Sequence, residues 1–320
     1  MSGSLVVMLF HSQVFILGFL PACLGGFFLL GRLAGPRTAL CWLVGASLVF
    51  YGWWNPAYVP LLAGSIAVNY ALGRHIRRSA AANAWFIAGI TLNLAVLGWF
   101  KYADFLLHIV DPAAPGLTII LPLAISFFTF QQIMFLVDAT RDPATPHPRL
   151  LTYAAFVTFF PHLIAGPIVR PSEIIPQLTQ KARFDADSFT EGLLIFLLGL
   201  ARKCDLADLF GGFADTGFDA AAAGHHLTLF EAWYATLSYA LQIYFDFAGY
   251  SDMALGLARM FGIRFPLNFD SPYQARNIAE FWRRWHITLG AFLRDYLYIP
   301  LGGNRRHRSA NLMATMLLAG

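Results

Sequence analysis

One histidine of this sequence stands in a setting where an imidazole could act as a base. His286 ends the run FWRRWH at positions 281–286. If the chain continues from there as one helix, His286 lies on an apolar face and Arg284 on the opposite face. The apolar face then continues through Leu289, Leu293 and Leu297. Burial lowers the pKa of an imidazole, so a neutral His286 could accept a proton from a hydroxyl. A histidine that only packs in the core fits the same pattern, and the spacing leaves both interpretations open.

A second set of polar residues lies in the apolar run LQIYFDFAGY at positions 241–250. Gln242, Asp246 and Tyr250 are spaced four residues apart, which places them on one face of a helix. An ionisable side chain is energetically unfavourable inside a membrane, so Asp246 marks a candidate functional site. We expect the three side chains either to line a polar cavity or to form a structural hydrogen-bond network at the end of a span.

The composition predicts a protein that is embedded in a bilayer. Hydrophobic residues make up 58% of the chain and charged residues only 12%, against about 25% charged residues in a typical soluble domain. A single soluble core cannot bury that much apolar surface. A membrane-spanning helix needs roughly 20 mostly apolar residues. The apolar stretches lie at 14–30, 39–54, 58–72, 85–100, 117–137, 189–200 and 227–250.

The basic residues between these stretches predict the orientation. Arginines at 32 and 37, at 74, 77 and 78, and at 141 and 149 all fall on one side of the predicted spans. Short cytoplasmic loops carry an excess of Lys and Arg. We therefore expect that side to be cytoplasmic and the N-terminus to be periplasmic or extracellular. This distribution also accounts for the net charge of +4 without nucleic-acid binding.

The second half of the chain is less regular. The stretch 151–168 is interrupted by Pro161, His162 and Gly166-Pro167, so we expect a re-entrant or buried segment, with a kinked span as the alternative. The region 251–308 holds nine of the 22 basic residues and many aromatics, which predicts short interfacial helices. The last stretch, 311–320, reaches only about half way across a bilayer, which predicts a chain that ends within a helix.

These features predict an all-α fold. We expect one polytopic transmembrane domain over 1–320, with N-terminal spans in 1–140 and a core of re-entrant and interfacial helices in 150–320 that is incomplete at its C-terminal end. The sequence contains neither a nucleophile elbow nor a Walker or Rossmann motif. Its histidines and cysteines lack the spacing of metal ligands, so we predict no metal site.

Several motifs together resemble the membrane-bound O-acyltransferase superfamily, in particular its bacterial branch of alginate O-acetylases. D-alanyl transfer proteins of teichoic acid synthesis are similar at a greater distance. The matching segments are 121–131, 160–168, 241–254, 264–269, 271–273, 280–286 and 294–304.

The resemblance implies transfer of an acyl group, usually acetyl, from a cytoplasmic thioester to hydroxyls of an exopolysaccharide such as alginate. It implies acetyl-CoA as the donor, no bound cofactor, a location in the bacterial inner membrane, and periplasmic acetyltransferase or polysaccharide-modification partners. One family histidine falls at His286, where it acts as base or orients a second histidine. That second histidine belongs to a helix expected beyond Gly320.

Further residues are candidates for binding substrate or donor. They are Gln242, Asp246, Tyr250, Arg283, Arg284, Arg294, Asp295 and Asn304. Guanidinium groups at 283, 284, 305 and 306 could hold the phosphates of acetyl-CoA. The alternative function is a transporter or export scaffold that forms no covalent bond, for which the embedded Asp246 and the broken helices are also suited.

Overall fold

A computed structural model of the chain describes residues 8–112, 114–142, 145–164 and 166–319. Fourteen α-helices are found in that part of the chain, together with short π-helical and 3₁₀ turns. The helices are α1 (Leu20–Leu33), α2 (Pro36–Trp54), α3 (Val59–Arg78), α4 (Ala82–Val110), α5 (Ile125–Arg141), α6 (Leu150–Thr158), α7 (Phe160–Leu163), α8 (Pro171–Leu178), α9 (Ala186–Ala201), α10 (Asp208–Ala222), α11 (Leu229–Met260), α12 (Ile278–Arg284), α13 (Ile287–Leu293) and α14 (Arg308–Ala319). The predicted all-α class is confirmed.

Two helices in the described residues are long and apolar enough to cross a bilayer. The first is Val14–Leu33, in which a π-helical turn at Val14–Phe19 leads into α1, and the second is α4. Both present most of their surface outward, as expected for helices that contact lipid. The larger number of spans remains a prediction.

The N-terminal helices begin near the starts of the predicted apolar stretches with one exception, although α3 and α4 continue six and ten residues past the predicted ends at 72 and 100. The predicted stretch 117–137 is helical only from Ile125, the first residue of α5. The preceding segment contains Pro122, and Ala124 has a left-handed backbone with φ of 62°. A proline and a left-handed residue cannot continue an α-helix, so the expectation that the helix begins near residue 117 is wrong.

The basic residues at 74–78 belong to a helix and not to a loop. His75, Arg77 and Arg78 form the last turn of α3. Positive charges there interact favourably with the negative end of the helix dipole. The predicted cytoplasmic location of these charges does not depend on this difference, because the end of α3 lies next to the predicted loop.

The segment after α5 is broken, as its prolines predict. Helix α6 ends at Thr158, and α7 is a single turn that begins at Phe160. All four residues of α7 are buried, and so are six of the nine residues of α6. The end of the predicted stretch includes residue 165, which lies outside the described residues.

The longest feature is a hairpin of α9 and α10 against α11. A π-helical turn at Arg202–Ala207 joins α9 directly to α10, so this arm is continuous. Helix α11 begins with a capping box in which Thr228 and Glu231 bind each other's backbone N–H groups. It continues to Met260, ten residues past the predicted end at 250, because Ala254, Leu257 and other residues of its last turns pack into the core.

Glycines bring the two arms of the hairpin into backbone contact. Gly192 faces Gly256, and Gly199 faces Gly249 about two helical turns further along. A Cβ atom built on Gly256 would lie 2.5 Å from the carbonyl oxygen of Gly192. Small residues permit this close approach between helices in membranes. The contact fixes the register of α9 against α11 and therefore the position of every side chain on α11.

The prediction of interfacial helices over 251–308 is wrong for the first ten residues, because these belong to α11. The rest agrees with the expectation of short helices. An extended segment follows α11 and leads to α12 and α13, and a π-helical segment at Arg294–Tyr298 follows α13. The prediction about the end of the chain at Gly320 lies outside the described residues.

Candidate active site

His286 occupies a break between α12 and α13. The structure differs here from the expected continuous helix, because His286 has a left-handed backbone with φ of 45°. Histidine is among the residues found more often in this conformation. Two backbone hydrogen bonds fix the break from either side: Asp270 N–H donates to the Arg284 carbonyl, and Ile287 N–H donates to the Asn268 carbonyl. The segment after α11 therefore determines where the chain turns.

The imidazole of His286 lies among aromatic rings. The ring centroid of Phe247 on α11 is 4.8 Å away, and the ring of Phe269 is parallel to the imidazole at 6.2 Å. Atom Nε2 is buried and has no hydrogen-bond partner among the described residues. His286 lies outside the long helices, and burial lowers its pKa to about 4. The imidazole is therefore neutral at physiological pH and retains a basic nitrogen.

A buried hydrogen-bond chain anchors the residue that follows. The Thr288 hydroxyl donates to Oδ1 of Asn268 at 2.8 Å and accepts from the backbone N–H of Ile168 at 3.0 Å. Asn268 and Thr288 are both buried. The chain ties the start of α13 to the extended segment and to the broken segment after α7. These contacts hold His286 in place from three parts of the sequence.

We expect Thr288→Val to disturb this arrangement without changing side-chain volume appreciably. The substitution leaves the N–H of Ile168 buried without a partner, which costs about 1–3 kcal/mol. It also removes the shorter of the two hydrogen bonds that Oδ1 of Asn268 accepts and leaves the one from the backbone N–H of residue 288, at 3.4 Å. In the full-length protein, the variant should show a lower melting temperature in detergent. Thr288→Ser keeps both hydrogen bonds and serves as the control. Equal melting temperatures for the two variants would contradict the anchoring role.

The predicted polar face of α11 forms a separate cluster. Asp246 pairs with Lys203 at 2.6 Å, and Lys203 also contacts Asp208 at 3.3 Å. Gln242 packs over Gly211 of α10, and the ring of Tyr250 stacks on Phe10 at 4.7 Å. The Oε1 atom of Gln242 and the hydroxyl of Tyr250 are buried without a partner in the described part of the chain. Gln242 and the Lys203–Asp246 pair thus lie between α11 and the other arm of the hairpin, where half of the Asp246 side chain remains exposed, whereas Tyr250 faces the N-terminal segment.

The two arginines next to His286 have different contacts. Arg284 binds the carboxylate of Glu280 at 2.8 Å and lies 3.7 Å from that of Asp270. Arg283 is exposed, and its Nε–H group donates to the carbonyl of Ala279. Arg284 therefore stabilises α12 and the turn, whereas the charge of Arg283 points outward.

The remaining predicted residues lie at the far end of α13. Asp295 forms ion pairs with Arg170 and Arg294. Hydrogen bonds from Arg294, and then the charge of Arg170, hold the pKa of Asp295 below its usual value. Asn304 accepts a hydrogen bond from Tyr298 at 2.7 Å. The predicted site residues thus fall into three places: around His286, inside the hairpin, and beyond α13.

Several residues at these places escaped the sequence analysis. Lys203 is a partner of Asp246, and Asn268 and Thr288 anchor His286. Asn268 lies within a motif that carried the family resemblance, and this was the only signal for it in the sequence. The pairing of Lys203 depends on the register of the hairpin, which no single segment specifies.

A comparison with known families covers this part of the chain. The sequence profile of the membrane-bound O-acyltransferase family matches residues 91–319, which include His286 and all its anchoring residues. The chain belongs to this family. Membership in this family of membrane-bound acyltransferases makes the chain part of an integral membrane protein, and it confirms the predicted resemblance.

The relatives of this family member carry names that refer to transfer onto cell-envelope polymers. The chain is 44% identical to the peptidoglycan O-acetyltransferase of Helicobacter pylori, over 98% of the chain and 66% of that protein. It is 42% identical to the probable alginate O-acetylase AlgI of Pseudomonas aeruginosa, over 98% of the chain and 61% of that protein. The teichoic acid D-alanyltransferase of Bacillus subtilis is 29% identical over 70% of the chain and 56% of its own length. The chain spans slightly less than two thirds of the length of the first two relatives.

Proposed function

We propose that the full-length protein is an O-acyltransferase that moves an acetyl group from cytoplasmic acetyl-CoA toward hydroxyls of an exopolysaccharide such as alginate. The observation that carries this proposal is the neutral imidazole of His286, which lies half-buried among aromatic rings with its Nε2 atom enclosed, on a fixed, left-handed backbone. The names of the relatives support acyl transfer to cell-envelope polymers as the reaction class.

The chemistry follows from the position of Nε2. A hydroxyl oxygen attacks the thioester carbonyl while Nε2 of His286 accepts the hydroxyl proton. The C–S bond then breaks, and the thiolate leaves with that proton as the free thiol of CoA. The rings of Phe247 and Phe269 lower the polarity around the imidazole, which strengthens electrostatic interactions at the reacting atoms. The chain from Ile168 through Thr288 to Asn268 holds the base in position.

The location and partners complete the proposal. We place the protein in the bacterial inner membrane as a multi-pass protein, with the ends of α3 and α5 on the cytoplasmic side. The donor then arrives from the cytoplasm, and a periplasmic acetyltransferase receives the acetyl group and passes it to the polysaccharide. Donor and acceptor thus approach His286 from opposite sides of the membrane.

The lowered pKa of His286 predicts the pH dependence of the rate. A protonated imidazole cannot accept a proton, and this group becomes protonated only near pH 4. The value of kcat/KM should therefore not fall between about pH 7.5 and about pH 5.5 through titration of this base. An unperturbed histidine would halve the rate near pH 6.5. Initial rates of acetyl transfer across this range, with the protein shown to remain folded, distinguish the two cases.

A transporter or export scaffold is the second candidate function. The Lys203–Asp246 ion pair inside the long hairpin favours it, because embedded charges also occur in transport pathways. A carrier of this kind forms no ester, so the presence of acetyl esters on the polysaccharide distinguishes the two functions.

The experiment is complementation in a bacterial strain that lacks its own polysaccharide O-acetylase. The full-length gene should restore acetylation of the polysaccharide. The acetylation is measured as the acetate that mild alkali releases from the isolated polysaccharide. The protein must be present in the membrane and the polysaccharide must be exported normally. If no acetate is then released, the acyltransferase proposal is contradicted and the scaffold is favoured.

A further inference from the structure

Two cavities occupy consecutive parts of α3, and the first has a basic wall. It measures about 390 Å³ and is lined by Tyr70, Ala71, Arg74, His75 and Arg78 at the C-terminal end of the helix. Within the described residues, no carboxylate lines it. This end of α3 lies on the side predicted to face the cytoplasm. The charge of the wall therefore favours an anion.

The two arginines of this wall are not neutralised. Arg74 and Arg78 are exposed and lie one helical turn apart on the same face. Neither takes part in an ion pair in the described part of the chain. Arg77 is different, because it binds the carbonyl oxygens of Asp142 and Thr145 on another face of the helix. Like charges one turn apart repel each other, and a phosphate between them converts the repulsion into two charge-assisted contacts.

An aromatic pair indicates the depth of the basic cavity in the membrane. The imidazole of His75 stacks on the indole of Trp85 near the start of α4, with ring centroids 5.0 Å apart. Trp85 is itself exposed. Exposed tryptophan is enriched at the level of the lipid headgroups. We therefore expect the basic cavity at the headgroup level of the cytoplasmic leaflet, which carries the anionic lipids.

The second cavity is an apolar cleft of about 290 Å³ between α3 and α4. Its wall includes Gly64 and Val68 of α3, Leu92 and Val96 of α4, and Phe128 of α5. Gly64 is exposed, and a Cβ atom built on it meets no atom within 4 Å. The missing side chain leaves the cleft open at this point.

The polar side chains of this cleft are bonded within the protein. The amides of Asn69 and Asn93 donate to each other at 3.2 and 2.6 Å. The hydroxyl of Ser65 donates to Gln132 at 3.1 Å. These groups satisfy one another across the helices. The cleft therefore offers mainly hydrocarbon contacts, which suit an acyl chain.

The two cavities together have the length of one lipid leaflet. From Gly64 in the cleft to Arg78 in the basic cavity, the helix rises about 21 Å. One leaflet with its headgroups is about 20–22 Å thick, half of a bilayer of about 40–45 Å. A phospholipid with its phosphate at the arginines can thus reach the cleft with an acyl chain.

We infer that α3 binds one anionic phospholipid of the cytoplasmic leaflet, with its phosphate between Arg74 and Arg78 and an acyl chain in the cleft beside Gly64. The inference concerns a surface separate from His286 and does not depend on the proposed function. The occupant is a lipid and not a soluble phosphate, because the basic cavity is followed by an apolar cleft at the depth of the acyl chains.

The headgroup end is tested with the double variant Arg74→Gln/Arg78→Gln of the full-length protein in detergent. Native mass spectrometry gives the Kd of added phosphatidylglycerol from the fraction of lipid-bound protein. The Kd should rise at least about tenfold, because both charge-assisted contacts are lost. The control Arg32→Gln/Arg37→Gln removes the same charge from exposed residues outside both cavities and should leave the Kd unchanged. Without lipid, both double variants should melt at the wild-type temperature.

The acyl-chain end is tested with Gly64→Leu. The new side chain enters the open cleft and should raise the Kd of phosphatidylglycerol severalfold. Leucine favours a helix over glycine, so weaker binding would not arise from unfolding of α3. Gly45→Leu is the matched control, since Gly45 is exposed on α2 and a Cβ there also meets no atom within 4 Å.

Two further probes identify the class of ligand. Phosphatidylcholine has the same phosphate and acyl chains but no net charge, and it should bind the wild-type protein at least about tenfold more weakly. Glycerol 3-phosphate has no acyl chain and should not displace phosphatidylglycerol at millimolar concentration.

Three results would overturn the inference. The first is equal binding of phosphatidylglycerol and phosphatidylcholine by the wild-type protein. The second is a Kd that is the same in each test variant and its control. The third is displacement of the lipid by glycerol 3-phosphate at concentrations near the Kd of the lipid, which would identify the ligand as a soluble phosphate.

Discussion

Replacing His286 by asparagine in the full-length protein should lower the rate of acetyl transfer by at least about 100-fold, the smaller end of the range for general acid–base catalysis. Asparagine is chosen because it tolerates the left-handed backbone that His286 adopts, with φ of 45°. The variant therefore removes the proton acceptor without forcing the break between α12 and α13 to rearrange. Initial rates at saturating donor separate a loss of kcat from a change in KM.

The control for this prediction is His226→Asn. His226 is exposed in the turn before α11 and lies outside the residues that form the candidate site. It should retain the wild-type rate. Both variants should elute as monodisperse proteins from size-exclusion chromatography. A His286→Asn enzyme that keeps more than about a tenth of the wild-type rate would exclude His286 as the base.

Replacing Gly256 by alanine should destabilise the hairpin. The new Cβ would lie 2.5 Å from both the Gly192 carbonyl oxygen and the backbone nitrogen of Phe196. These are backbone atoms, so relief requires α9 to move away from α11. Overpacking of this kind typically lowers the free energy of unfolding by about 1–3 kcal/mol, and a backbone clash belongs at the upper end. The apparent melting temperature in detergent should fall by several degrees.

Gly98→Ala is the matched control for the helix contact. Gly98 lies within α4, and a Cβ built there meets no atom within 4 Å. This variant should melt at or slightly above the wild-type temperature, because alanine favours the helix over glycine. Equal melting temperatures for Gly256→Ala and wild type would show that α9 and α11 do not pack in this register. Because α11 supplies Phe247 to the wall beside His286, the destabilised variant should also lose activity.

Much of the architecture follows from local patterns in the sequence. Apolar stretches locate α2, α3 and α4 to within a few residues at their starts, since hydrophobic runs of that length favour helices in a bilayer. The prolines near 161 correctly predict a broken segment. Local patterns fail where the backbone adopts a rare conformation, as at Ala124, which delays the start of α5.

The site shows why the same reasoning has limits. Residues 281–297 have helical periodicity throughout, yet the chain breaks at His286 because distant backbone groups of Asn268 and Asp270 pair across the break. The Lys203–Asp246 pair depends on glycine contacts elsewhere in the hairpin. Arg170, in the segment before α8, pairs with Asp295 after α13. Such contacts are set by tertiary packing, and no window of sequence contains both partners.

The most direct test of the account is a single-turnover assay with the full-length protein in nanodiscs and acetyl-CoA labelled in the acetyl group. A periplasmic partner or an isolated polysaccharide serves as the acceptor. The account predicts that the label appears in an alkali-labile ester of the acceptor together with an equal amount of free CoA thiol, and that His286→Asn yields neither. The account is contradicted if folded wild-type protein leaves the acceptor unlabelled and releases no thiol. It is also contradicted if wild type and His286→Asn transfer the label equally.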